Sequence, residues 1–111
     1  MIQRERLVKD FEAMAQLTAP GEGINRLAFT DADWEGRQYI IDRMIDAGLS
    51  VEIDDFGNVI GYKFGKKPDL PAVMVGSHTD SVPNGGNYDG VVGVLSAIEV
   101  IRSMIDDGYE H

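Results

Sequence analysis

Apolar residues recur at helical spacing over residues 2–17, where Leu7, Phe11, Met14 and Leu17, with Val8 and Ala15, share one face. Thr18-Ala19-Pro20-Gly21-Glu22-Gly23 ends that helix with proline and glycine, and residues 24–29 form a connection with Arg26 inside it. A second helix starts at Thr30 or Asp31, either of which can cap it. Asp33 and Glu35 place negative charge in its first turn, where the helix dipole favours it. Trp34, Tyr39, Ile41, Met44 and Ile45 are predicted to form its buried stripe, and Gly48 to stop it. Residues 49–54 alternate and predict a strand, Asp55-Phe56-Gly57-Asn58 a turn, and residues 59–64 the second strand of a hairpin. After a loop over 65–71, Ala72-Val73-Met74-Val75-Gly76 is apolar without a break. That pattern predicts a strand buried on both faces, in a sheet with helices on each side. Residues 91–106 predict a last helix, with Val94, Leu95, Ile98, Ile101 and Ile105 on one stripe and Gly108 beyond its end. The expected class is therefore α/β, with helices packed on a mixed sheet.

Composition narrows the function. A chain of 111 residues is one domain at most, and 43% hydrophobic content allows a real core. No internal repeat or low-complexity segment interrupts it. A net charge of −9 argues against nucleic acid and anionic membranes as partners. No apolar run is long enough to span a membrane, and the N-terminus is charged rather than signal-like, so a cytoplasmic location is expected. There is no cysteine, hence no disulfide framework and no thiolate ligand or nucleophile.

The chemistry concentrates in Gly76-Ser77-His78-Thr79-Asp80-Ser81-Val82-Pro83-Asn84-Gly85-Gly86-Asn87-Tyr88-Asp89-Gly90, between the apolar run and the last helix. Strand, loop, helix is where α/β proteins place ligands. Imidazole beside carboxylate suits a borderline divalent cation such as zinc. In an extended chain His78 and Asp80 share a side, so Asp80 can fix one ring nitrogen and aim the other at a metal. Asp89, at or next to the helix start, stays ionised there and can ligate metal. Gly85, Gly86 and Gly90 let the backbone fold back so that Asp89 approaches His78. Bland readings stand beside this one: a surface His–Asp pair, a helix cap at Asp89, a glycine turn. A phosphate cradle is disfavoured, since no lysine follows the Gly-Gly pair and no G-x-G-x-x-G is present. Ser77 and Ser81 lie outside any G-x-S-x-G elbow, which argues against a serine nucleophile.

The run GSHTDSVPNGGNYDGVVGVLSAIE resembles the metal-binding region of the dinuclear-metal aminoacylase and carboxypeptidase superfamily. The short His-to-Asp spacing and the GGNYDG run resemble the N-carbamoyl-L-amino acid hydrolase, allantoate amidohydrolase and β-ureidopropionase branch. Gly23-Ile24-Asn25-Arg26-Leu27-Ala28-Phe29 and Asp54-Asp55-Phe56-Gly57-Asn58-Val59-Ile60-Gly61 resemble that branch's N-terminal segment, so the likeness covers nearly the whole chain. It implies that His78 ligates one metal, that Asp89 bridges two, and that Asp80 is the catalytic-site Asp that orients His78. It implies two divalent ions (zinc, manganese, cobalt or nickel), a small-molecule substrate, and hydrolysis of a linear amide or ureido C–N bond by metal-activated water. It also implies a full-length homodimer.

By the same resemblance, the general-base Glu, its neighbouring ligand Glu, two further His ligands and an inserted dimerisation domain lie outside these residues. Glu99 does not fit the paired-Glu motif and reads as a helical surface or packing residue, and His111 reads as loop. The whole chain, 1–111, is thus expected to be an N-terminal portion of a zinc-peptidase-like catalytic domain, incomplete, inactive alone and prone to self-association. The alternatives are an aminoacylase or dipeptidase of the same superfamily, a non-catalytic α/β module that binds metal or a partner, and a structural domain in which Asp89 caps a helix.

Overall fold

The computed structural model describes all 111 residues. Three helices, α1 (Arg4–Gln16), α2 (Asp31–Asp46) and α3 (Val91–Asp106), accompany one antiparallel hairpin of β1 (Ser50–Ile53) and β2 (Val59–Tyr62). Its register runs from Ser50 opposite Tyr62 to Ile53 opposite Val59. Asp54 makes the turn: its Oδ1 accepts from the amides of Phe56, Gly57 and Asn58 at 3.0, 2.9 and 2.8 Å. Helix α2 begins as its sequence suggests. The Thr30 hydroxyl accepts from the Asp33 amide, and the Asp33 carboxylate accepts in return from the Phe29 amide at 2.9 Å. No helix is long and apolar enough to cross a membrane.

The core gathers one stripe from each helix. Met14, Ile40, Val91, Leu95 and Ile98 are buried together, with Leu7, Phe11, Leu17, Tyr39, Met44 and Val94 packed around them. Helix α1 packs on α3, and α2 packs on both hairpin strands. The buried face of α2 differs from expectation: it is Ala32, Asp33, Gly36 and Ile40, while Trp34 and Ile45 are more than half exposed. Gly36 sets that face. A Cβ there would stand 2.6 Å from Arg26 Cδ, so only glycine lets α2 lie directly against the Arg26 side chain.

The larger departure is at 72–76. This run is not a strand: Val73, Met74 and Val75 are 99%, 80% and 66% exposed, and no ladder pairs them. A buried strand needs neighbours on both edges and cover on both faces, and no segment of the chain supplies them. The α/β class holds, but the sheet is two antiparallel strands and not a mixed one.

Buried charge joins the three helices. Glu99 of α3, 1% exposed, accepts from Arg6 Nε at 2.7 Å and Nη2 at 3.0 Å, and from the Gln3 amide at 2.8 Å. Arg102 reaches Asp10 of α1 at 2.5 Å, and Tyr39 of α2 donates to the same carboxylate at 2.6 Å. Burial and the hydrogen bond to Asp10 push the Tyr39 hydroxyl up to about 12. Glu99 is thus a packing residue, far from the loop. Burial pushes its carboxyl up, but hydrogen bonds from Arg6 and the Gln3 amide outweigh this and leave its pKa lowered.

Two predictions follow from this packing. Because Glu99 titrates below its ordinary 4.5 when folded, its stabilisation is present above that pH and is lost as pH falls through the lower folded value. Glu99→Ala should cost about 1–3 kcal/mol near neutrality, since it removes the hydrogen bonds from Arg6 and the Gln3 amide while Arg6 keeps Asp106. Urea midpoints measured between pH 3 and 7 should decline on acidification in the wild type and decline less in the variant; parallel slopes would contradict this. Gly36→Ala, which in an open helix would stabilise by about 1 kcal/mol, should instead destabilise by about 1–3 kcal/mol through overpacking. A raised melting temperature would show that Arg26 yields easily.

Candidate functional site

The loop after residue 76 folds back over the start of α3. Gly90 precedes α3 with φ +71°, and a Cβ there would lie 2.5 Å from His78 Cε1, Nδ1 and the His78 carbonyl oxygen. Both the positive φ and the close approach require glycine. Gly93 repeats the theme one turn on: a Cβ there would stand 2.6 Å from Ser77 Cβ. The first turn of α3 is in this way pressed against the 77–78 backbone, and Asp89 is carried up to His78.

His78 lies between two carboxylates. Its Nδ1 is 3.2 Å from Asp80 Oδ1 and 3.1 Å from the Asp80 carbonyl oxygen. Its Nε2 is 3.6 Å from Asp89 Oδ2. Asp80 therefore holds one nitrogen and the other faces Asp89, so all three residues singled out in the sequence come together. The cap reading of Asp89 does not match: no side chain caps α3, and the Asp89 carboxylate stands in solvent beside the ring. Ser77 packs under Gly93, and Ser81 serves the backbone.

The donor set suits a divalent cation in part. Ligand bonds of 2.0–2.1 Å in a tetrahedron give a ligand–ligand edge of about 3.3 Å, close to the 3.6 Å between Nε2 and Oδ2. The remaining nitrogen already has an acceptor, which is what a ligating imidazole ordinarily keeps behind it. No third His, Asp or Glu closes on the same point, because Asp80 sits on the opposite side of the ring. His78 and Asp89 can hold one side of a cation and not its full coordination shell. His111 lies elsewhere, over Gly65 and the Lys63 carbonyl.

What the sequence did not reveal is how the loop is held. Arg26, 1% exposed, donates from Nε to the Thr79 carbonyl at 2.7 Å and from Nη1 to the Met14 and Leu17 carbonyls at 2.9 and 2.6 Å. Its backbone amide donates to Ser81 Oγ at 2.9 Å, and its carbonyl accepts from the Ser81 amide at 2.8 Å. Ile24 and Gly85 exchange both backbone hydrogen bonds, and Asn25 Oδ1 accepts from the Asn84 amide at 2.8 Å. Tyr88, next to Asp89, meets Phe11 edge-on at 5.5 Å. The available signal is an isolated cation: Arg26 is the only basic residue between Lys9 and Arg37, in a short connection.

No protein-family model matches the sequence. Curated relatives do. Over 107 residues it is 44% identical to an N-carbamoyl-L-amino-acid amidohydrolase of Paenarthrobacter aurescens, covering 96% of this chain and 26% of that one. Over 92 residues it is 46% identical to a ureidoglycolate hydrolase of Arabidopsis thaliana, covering 83% and 19%. Among solved structures, a hydantoinase/carbamoylase family amidase from Burkholderia ambifaria superposes with a TM-score of 0.91 at 39% identity, covering 96% of this chain and 26% of that one. The chain spans about a quarter of the length of the curated relatives it matches. In sequence and in fold, these 111 residues belong, as a segment of that length, to the hydantoinase/carbamoylase family of amidohydrolases.

Proposed function

We propose that this segment supplies one wall of a metal-dependent amidohydrolase site that cleaves a linear carbamoyl or ureido C–N bond in a small molecule. The observation that carries the reading is the His78 ring held between Asp80 and Asp89, in a chain whose relatives bear the names of carbamoyl and ureido hydrolases. In this proposal His78 offers Nε2 and Asp89 a carboxylate oxygen to divalent metal (zinc, manganese, cobalt or nickel). Asp89 would hold both ions, a role that rests on the resemblance alone. Asp80 does not ligate; it accepts from Nδ1–H, fixes the tautomer and raises the basicity of Nε2. When bound, such ions supply Lewis-acid polarisation of the scissile carbonyl and an acidified water. The exposure of Asp89 and His78 leaves that side of the site open to substrate.

We further propose that the general-base carboxylate and the remaining ligands come from parts of the family's longer chains that these residues do not span. The longer protein is proposed to pair as a homodimer, which rests on the resemblance alone.

Three outcomes test this. Zinc or manganese titrated calorimetrically into the 111-residue chain should bind weakly, and binding should vanish in His78→Ala and in Asp89→Ala. Asp80→Ala should weaken binding about 10-fold to 100-fold without abolishing it. Unchanged binding in all three variants would remove the metal reading. Gly90→Ala should weaken binding as well, since its Cβ must displace the His78 ring. With an N-carbamoyl amino acid and added manganese, the chain alone should show no turnover; robust hydrolysis would contradict the proposed division of the site.

A further inference from the structure

Every hydrogen bond that links residues 72–87 to the rest of the chain goes to Ile24, Asn25 or Arg26. The 72–76 run is exposed and has no ladder partner, so the loop receives no support from that side. Arg26 is the centre of the triad. Its guanidinium spans from the last carbonyls of α1 to the carbonyl of Thr79, the residue between His78 and Asp80. The Met14 carbonyl also accepts the C-cap bond from the Leu17 amide at 3.1 Å, and both it and the Leu17 carbonyl lie at the negative end of the helix dipole, where a cation is favoured. The last turn of α1 has no basic residue of its own. The anchor is also confined from behind, because Gly36 places the α2 backbone against Arg26 Cδ.

We propose that Arg26 is a positioning residue for the candidate metal site: its forked donors fix the Thr79 peptide and thereby the separation and aim of the His78 and Asp80 side chains. This deepens the proposed function and rests on its reading of His78 and Asp89 as ligands. A positive charge alone does not suffice. A lysine ammonium is a compact donor that cannot reproduce the planar fork reaching α1 and Thr79 together. Ser81 completes the link in the other direction, since its hydroxyl accepts from the Arg26 amide and donates to the Ile24 carbonyl at 3.0 Å.

The test compares the 111-residue wild type with Arg26→Lys, Arg26→Met and Ser81→Ala. It measures amide exchange by NMR and zinc affinity by calorimetry, well below each variant's melting temperature. In both Arg26 variants the Ser81 and Gly85 amides should exchange about tenfold faster or more, while Leu95 and Ile98 in α3 keep their protection. Zinc affinity should fall about 10-fold to 100-fold, as for loss of an orienting partner. Ser81→Ala, which leaves the Arg26 side chain in place, should shift both readouts the same way by less. It decides the matter should the Arg26 variants not fold. Full retention of loop protection and zinc affinity in Arg26→Lys would overturn the fork argument. A lowered melting temperature with both readouts within twofold of wild type would reduce Arg26 to a structural residue. If the wild type takes up no zinc, the metal reading fails, and amide exchange alone then decides whether Arg26 positions the loop.

Discussion

Arg26 is buried without a carboxylate in ion-pairing reach, and its guanidinium is satisfied by three backbone carbonyls. Taking a guanidinium out of water is expensive unless its donors are met. Burial lowers its pKa, while Asp33 and Asp80 push it back up from a longer range. The oxygens it meets belong to two segments: the C-terminal end of α1 and a loop that lacks a strand partner. One side chain therefore ties the carbonyls at the end of α1 to the peptide beside His78. The position of α2 depends on it too, through the contact at Gly36.

A second set of close approaches completes the arrangement from below. Gly90 and Gly93 let α3 press on Ser77 and His78, and this brings Asp89 to the far side of the ring. Helix α3 is itself held to α1 by the core stripe and by the Glu99–Arg6 and Asp10–Arg102 pairs. The loop is thus gripped between Arg26 on one side and the glycines at the start of α3, Gly90 and Gly93, on the other. The side chains that carry its chemistry remain in solvent, and the groups that aim them are buried.

Much of this was legible in the sequence. Helix α3 spans the predicted residues, and α1, α2 and the hairpin fall where periodicity and turn residues put them, with ends a few residues shorter. His78, Asp80 and Asp89 meet as expected, because each is tied to a strong local signal: an apolar run, a glycine turn, a helix start. Other features were not legible. Residues 72–76 have the composition of a central strand, but a strand is a property of its neighbours, and here none pair with it. The face of α2 does not follow residue size: Trp34 has the bulk of an anchor, whereas the buried face is set by the absence of a side chain at Gly36. Arg26 and Glu99 share that difficulty. A charged residue reads as surface until its partners, 53 and 93 residues away in sequence, are known.

In the proposed site His78 Nε2 and Asp89 form one side of a cation site while Asp80 holds Nδ1. Crystals grown with zinc, measured above and below its absorption edge, test it directly. An anomalous peak about 2.0–2.1 Å from His78 Nε2 and from an Asp89 oxygen, with Asp80 still on Nδ1, is the predicted result. No peak at His78 under saturating zinc, or one bound through Nδ1 and Asp80, would contradict it.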